Sequence, residues 1–296
     1  MPVFPPLPPP AAGIVQIQED ASQSNRVGEL RPPILILENF IEVSDPGTTV
    51  NTSANTINKK RKLLALSSGR ALYLFAGPKR RSTIGNMLRK SNWAVEEIDI
   101  LQGGREHDLT RAKVQTALVD KVATQGYDLL LTSPPCDTFS RVKYANSWGP
   151  APTRSFKYRR GFPWLQGAAK RQTQLANMLV DFNFRLILSH LQHKESMLIV
   201  EFPEDLGAVL NGTHKGIRPS SIFQWEEFAQ ILNCPGVVTG GIRQSDFGED
   251  YLKPTRLILR IPGGVLPNFF PGVPEFDNTG KYLGPIPKGV AKEDTG

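Results

Sequence analysis

Between residues 67 and 260, short hydrophobic runs alternate with longer segments of helical periodicity. ALYLFAG (71–77) is an apolar run closed by glycine, the pattern of a strand buried on both faces of a parallel sheet. Ser82 to Lys90 predicts a helix, WAVEEIDI (93–100) a second strand, and Thr110 to Gln125 a helix capped by Asp108 or Thr110. YDLLLTS (127–133) predicts a third strand. A long helix follows near 169–193, with Leu175, Met178, Leu179, Phe182 and Leu186 on one stripe. MLIVEF (197–202) predicts a fourth strand, SSIFQWEEFAQIL (220–232) a helix, and VVTGGIR and TRLILRI the closing strands. Such alternation predicts an α/β, Rossmann-like fold, a mostly parallel sheet with helices on both faces. Ligands of these sheets sit beyond the carboxyl ends of the strands, so candidate chemistry is sought there.

The flanks read differently. Residues 1–66 are expected to be a flexible leader: six of the first ten residues are proline, and the polar stretches that follow hold no sustained period. Within it, RPPILILENFIEV (31–43) is apolar enough to dock, and Lys59 to Lys62 form a basic run that suits nuclear import or nucleic-acid contact. From 261 to 296, recurrent Pro and Gly predict an irregular tail that wraps on the core through Phe269, Phe270 and Phe276.

Composition adds limits to this picture. No apolar run approaches the ~18–20 residues of a membrane helix, and the N-terminus lacks the pattern of a secretory signal, so an intracellular, non-membrane protein is expected. Two cysteines, Cys136 and Cys234, cannot build a disulfide framework, and the four histidines are too scattered for a metal site, so no metal is expected. Thirty-five Lys and Arg against 28 Asp and Glu give a net charge of +7, which favours a polyanionic partner.

Four strand ends carry candidate chemistry. After the first strand, Gly77 can let backbone approach a ligand, and Asp99 follows 22 residues later at the end of the second strand, the spacing of a ribose-binding acid. The loop from Gly77 to Thr83 has neither further glycines nor a Gly-Lys pair, so it is not a phosphate-cradling loop. After the third strand comes Ser133-Pro134-Pro135-Cys136, a cysteine with a backbone held by prolines on the ligand side of the sheet. That placement suits a nucleophile if a nearby cation or helix end lowers its pKa. Glu201, closing the LIV run of the fourth strand, would project at the same edge as an acid or base.

Together these segments resemble the DNA cytosine C5-methyltransferase family. LFAG (74–77) with Asp99, HDLT (107–110), YDLLLTSPPCDTFS (127–140), LIVEFPEDL (198–206) and GIRQSDFG with KPTRLILR (241–260) occur in the family's order. The chain is most similar to compact methyltransferase-like domains of phages and protist mobile elements, which share SPPC-x-x-FS, WGP, GFPWL and KPTRL. Phe202 stands where the family has Asn after its Glu, and the third strand of the family is compressed into 101–109. The resemblance implies a Rossmann-like S-adenosylmethionine-dependent methyltransferase fold and activity on C5 of cytosine. Cys136 would attack C6, Glu201 would serve as the acid at N3, and a target within a duplex would be flipped into the pocket. It further implies that Phe75, Gly77, Asp99, Asp108, Leu109 and Pro134 bind S-adenosyl-L-methionine.

A basic segment follows the cysteine. From Arg141 to Arg171 there are eight cations and no acid, a charge of +8 that exceeds the whole chain's +7. Tyr144, Trp148, Phe156, Tyr158, Phe162 and Trp164 are interleaved with them, which suits phosphate contact combined with base stacking. The expected nucleic-acid surface, with DNA favoured over RNA, comprises Ser140, Arg141, Lys143, Arg154, Lys157, Arg159, Arg160, Arg171 and Arg243. A zinc deaminase is excluded because the residue three positions after Cys136 is Phe139. The alternative to an enzyme is a nucleic-acid-binding module of a mobile element or virus that keeps the sheet and the basic insertion without catalysis.

Overall fold

The computed structural model describes residues 69–79, 83–124, 126–144, 149–247, 252–262 and 269–284. The leader, with residues 31–43 and Lys59 to Lys62, lies outside the described residues, as does Trp148. The first strand, β1 (Gly69–Leu74), pairs in parallel with β2 (Trp93–Ile98) and β3 (Leu129–Thr132), and β3 pairs in parallel with β4 (Met197–Pro203). Next to β4 lies β6 (Pro254–Arg260), antiparallel both to it and to β5 (Val238–Arg243). The two-residue β7 (Phe270–Pro271) edges β5. The order is β2-β1-β3-β4-β6-β5-β7, and β5 runs in the same direction as β4. Five of the seven strands therefore run in one direction, with β6 inserted between β4 and β5 and the short edge strand β7 running the other way.

Five helices accompany the sheet among the described residues: α1 (Ile84–Lys90), α2 (Ile100–Gly103), α3 (Ala112–Ala123), α4 (Gly167–His190) and α5 (Glu226–Leu232). Thr83 caps α1 by accepting from Asn86 N. Helix α3 begins at Ala112 with no side-chain cap; Asp108 instead accepts from the backbone and hydroxyl of Thr110, so neither expected cap serves the helix. Between β2 and α3 the chain forms α2 and a 3₁₀ turn (Gly104–His107), with no strand.

Alternation along the strands sends side chains to two unequal faces. Leu72, Leu74, Leu130, Leu198, Val200, Phe202 and Ile258 form one core with α3, α4 and α5. The opposite face is thinner. There Ala71 and Leu129 pack under Leu88 of α1, and Ile242, Leu257 and Leu259 meet Phe247 and Phe269.

The buried stripe of α4 departs from the expected one. Phe182 and Leu186 are buried, but Leu175 and Met178 are 42% and 38% exposed, and the inward positions include Thr173, Asn183 and His190. Polar groups on the core face are only partly paired: the Thr173 hydroxyl and the Asn183 amide nitrogen are buried without a hydrogen bond. Asn183 Oδ1 accepts from Thr132 Oγ1 at 2.7 Å, His190 Nε2 meets Met197 O at 2.9 Å, and Thr173 O accepts from Arg154.

The tail is more ordered than its Pro and Gly content predicts. Besides β7, β8 (Glu275–Phe276) and β9 (Tyr282–Gly284) form a small antiparallel pair, and Ala208 N donates to Gly280 O at 2.7 Å. Phe269 joins the thinner core, while Phe270 and Phe276 lie under Arg243 and Arg218.

Candidate active site

Parallel pairing of β3 and β4 places Thr132 beside Val200, so the chain leaves β3 at Ser133 next to Glu201 and turns over the sheet edge through two prolines to Cys136. Cys136 is half-buried and packs at the rim of the larger core. Its thiol is a free one, and burial pushes its pKa up; the Glu201 charge adds to this, and Lys253 opposes it. The expectation that the surroundings lower the thiol's pKa is not met. Glu201 itself is raised by burial, with Lys253 and Ser133 acting the other way. Its Oε1 is buried without a hydrogen bond, with Lys253 Nζ 3.8 Å away. A carboxyl in this state holds a proton more readily than an exposed one, and once protonated it no longer repels a thiolate.

Glu201 opens onto a cavity of about 260 Å³ on the thinner face, walled by Leu131, Ile199, Ile242 and Leu259, with Tyr73, Ser133, Gln244, Lys253 and Thr255 as its other polar members. Burial pushes the Tyr73 hydroxyl up to about 12, so it is a hydrogen-bonding phenol across the physiological range. Lys253, Tyr73 and Ser133 belong to the site without standing out in the sequence as candidates. The position of Ser133 is readable from the strand end, whereas Lys253 arrives from a distant loop before β6.

The first loop is bent by Phe75, which adopts a left-handed φ of 57°, and its ring packs partly on the core. Asp99 accepts from Gly77 N at 2.8 Å through Oδ2 and from Leu101 N at 2.8 Å through Oδ1. Each carboxylate oxygen keeps a second acceptor site. Gly77 has a φ of 71°, and a Cβ placed there would project into open space. Ile100 and Leu101, directly after Asp99, are 55% and 71% exposed. Asp108 is partly exposed, held below its usual range by Thr110. Leu109 is buried and its side chain packs in the larger core. Pro134 is buried.

The basic segment divides sharply. Arg154 is fully buried, so its expected role as a nucleic-acid contact is corrected: its guanidinium donates to Thr138 Oγ1, Asn177 Oδ1, Arg159 O and Thr173 O and lies 3.9 Å over the Phe139 ring. Arg141 donates to Gly207 O at 2.6 Å and Ala208 O at 2.8 Å. Arg160 pairs with Asp181 and Glu227 at 2.9 and 3.0 Å and lies over Trp225. Arg243 pairs with Asp246 at 3.0 Å. Ser140 and Lys143 are half-buried. Arg159 is exposed but donates to Phe156 O and Gln224 O. Lys157, Lys170 and Arg171 are exposed and make no ion pair with a described residue.

No family model and no curated protein sequence matches this chain. Among the described residues no helix is long and apolar enough to cross a membrane, and no group of three or more His, Cys, Asp or Glu is placed to hold a metal ion.

Proposed function

We propose that the chain is an S-adenosylmethionine-dependent methyltransferase acting on C5 of cytosine in nucleic acid. The observation that carries this reading is the approach of Cys136 and a half-buried Glu201, its pKa raised by burial, from neighbouring strand ends. A strand order in which one antiparallel strand is inserted between two that share a direction supports a methyltransferase-type sheet. The residues of the first loop fit the adenosine part of the cofactor. Gly77 leaves open space, Asp99 keeps acceptor capacity for ribose hydroxyls, and Ile100 and Leu101 offer exposed apolar surface for a purine ring. Bound there, the cofactor would supply an electrophilic methyl on a sulfonium.

The chain's own residues would do the rest. With its proton released to solvent, the Cys136 sulfur bonds to C6 while the C5–C6 π pair shifts to C4–C5 and the C4–N3 π pair moves onto N3, which takes the Glu201 proton. Burial raises the pKa of the thiol and so opposes thiolate formation, and a protonated Glu201 would remove the charge that adds to this. After alkylation of C5, loss of the C5 proton to water expels the sulfur as thiolate, and N3 returns its proton to Glu201, which restores the aromatic ring and the acid.

One observation favours the non-catalytic module: Asp99 is already tied into its own loop by Gly77 and Leu101. Methyl transfer from labelled S-adenosylmethionine to cytosine-containing DNA separates the two readings. Transfer by the full chain that is abolished in Cys136→Ser supports the enzyme. Absence of transfer, with no calorimetric heat on cofactor titration, supports the module.

A further inference from the structure

The basic segment from 141 to 166 holds five aromatic residues within the described part, and the structure distinguishes their states. Tyr144 is buried, and Phe156 lies between the guanidiniums of Arg159 and Arg218 at 4.8 and 4.5 Å. Phe162 and Tyr158 support a third ring. Trp164 stacks on Phe162 with centroids 4.8 Å apart and planes 7° from parallel, and meets Tyr158 edge-on at 5.3 Å. One indole face is thus occupied, yet Trp164 is 62% exposed. This is the geometry of a stack with its last place open.

The platform is held from beneath. Phe162 N donates to Thr153 O at 2.9 Å, Asn177 of α4 donates to Arg160 O at 2.7 Å, and buried Arg154 donates to Arg159 O at 3.1 Å. Gly161 lets the loop lie close to α4, because a Cβ there would come within 2.7 Å of Thr173 Cγ2. A ring presented on a backbone this well tied loses little conformational entropy when it binds. Lys157 lies over Tyr158 at 5.5 Å, and Lys170 and Arg171 are exposed in the opening turns of α4. No acid occurs anywhere from 141 to 171.

We propose that the free face of Trp164 is a stacking platform for an unpaired nucleobase, with Lys157, Lys170 and Arg171 taking the flanking phosphates, so that the chain prefers single-stranded to duplex nucleic acid. A base in a duplex is already stacked on both faces and cannot complete this ladder. The inference rests on the reading that the chain handles nucleic acid, but it does not depend on methyl transfer.

The test titrates the full chain with a fluorescent single-stranded oligonucleotide and with the same sequence as a duplex, over a range of salt. Tight single-strand binding that weakens about tenfold in Trp164→Ala and is largely retained in Trp164→Phe supports the platform. The salt slope of Trp164→Ala should match the wild type, because no charge is removed. Equal affinity of Trp164→Ala and wild type for the single strand, or a preference for the duplex, overturns it. So does an absence of oligonucleotide binding at low salt, or an exposed Trp164 that proves to bind another protein. Loss of single-strand affinity in Trp164→Ala in a protein that transfers no methyl group leaves the platform standing and removes the enzyme. Methyl transfer with a silent Trp164→Ala does the reverse.

Discussion

The buried basic groups of the fold and the exposed ones of the loop before α4 and its opening turns carry the same sign of charge and have opposite roles. Arg154, Arg256 and Arg260 are buried, and each is held within the fold in its own way. Arg256 forms a bidentate pair with Glu204 at 2.9 and 2.6 Å and also donates to Thr239 and Gly272. Arg260 ties the end of α4 to β4 through Leu191 O, His193 O and Ser196. Arg154 uses carbonyls, a hydroxyl and an amide in place of a carboxylate, at the expense of an Nε that is buried without a partner. His190 takes a further route and remains neutral. Lys157, Lys170 and Arg171 stay in water. A count of positive charge along the chain therefore overstates what a polyanion meets, because a buried guanidinium shapes the loop and only an exposed cation can displace counterions.

The largest effect is expected at the carboxylate-paired member. Glu204→Gln leaves the Arg256 charge in a site with no exposure, and should lower the unfolding free energy by about 3–5 kcal/mol in chemical denaturation. Arg256→Met combined with Glu204→Leu should recover part of the loss, since no uncompensated charge remains. If the single and double variants are equally destabilised, packing outweighs charge at this position.

His190 gives the next effect, visible only in acid. Burial depresses its pKa from 6.5 to about 4, so the unfolded chain takes up a proton that the folded chain refuses. Its contribution is complete above pH 6.5 and is lost progressively as pH falls toward 4, by about 3 kcal/mol in total. His190→Gln should flatten that part of the stability–pH curve relative to the wild type. An unchanged slope would place the acid sensitivity elsewhere.

Arg154→Met should cost about 2–3 kcal/mol through the hydrogen bonds it removes. It should also weaken single-strand binding by loosening the Trp164 loop, while leaving the salt slope at the wild-type value. A reduced slope would show that Arg154 reaches phosphate after all and would erase the distinction between the two sets.

Much of the fold is legible in the alternation of short apolar runs and helical segments, because strands buried on both faces and their crossover helices leave strong local patterns. Order within the sheet is not. TRLILRI reads as a strand wherever it is placed, and nothing local marks its position between β4 and β5 or the burial of Arg256 and Arg260 within it. The α4 stripe misleads for a related reason, since Asn183 and His190 are inward where Thr132 and Met197 O of the sheet meet them, and Thr173 is inward beneath the Arg154 loop. At the site, Cys136 and Glu201 can be placed because a strand end fixes which edge a side chain serves. Lys253 cannot, since no local pattern relates it to Glu201, 52 positions earlier in the chain. Arg154 reads as surface because residue type carries charge but not direction.

The smallest change in stability belongs to the exposed set, and it is the most informative for function. Lys157→Ala and Lys170→Ala remove side chains that touch little of the fold, so each should alter stability by less than about 0.5 kcal/mol. Each cation withdrawn from a phosphate should nevertheless reduce the slope of log affinity against log salt by about 0.7 for a single strand. The double variant should then bind less tightly at low salt, while wild-type and variant affinities converge as salt rises. Trp164→Ala should weaken binding by a constant factor at every salt concentration, because stacking releases no counterions. Parallel lines for Trp164→Ala and converging lines for the lysine variants would separate stacking from charge within one loop. Converging lines for both would mean that the indole only positions the lysines.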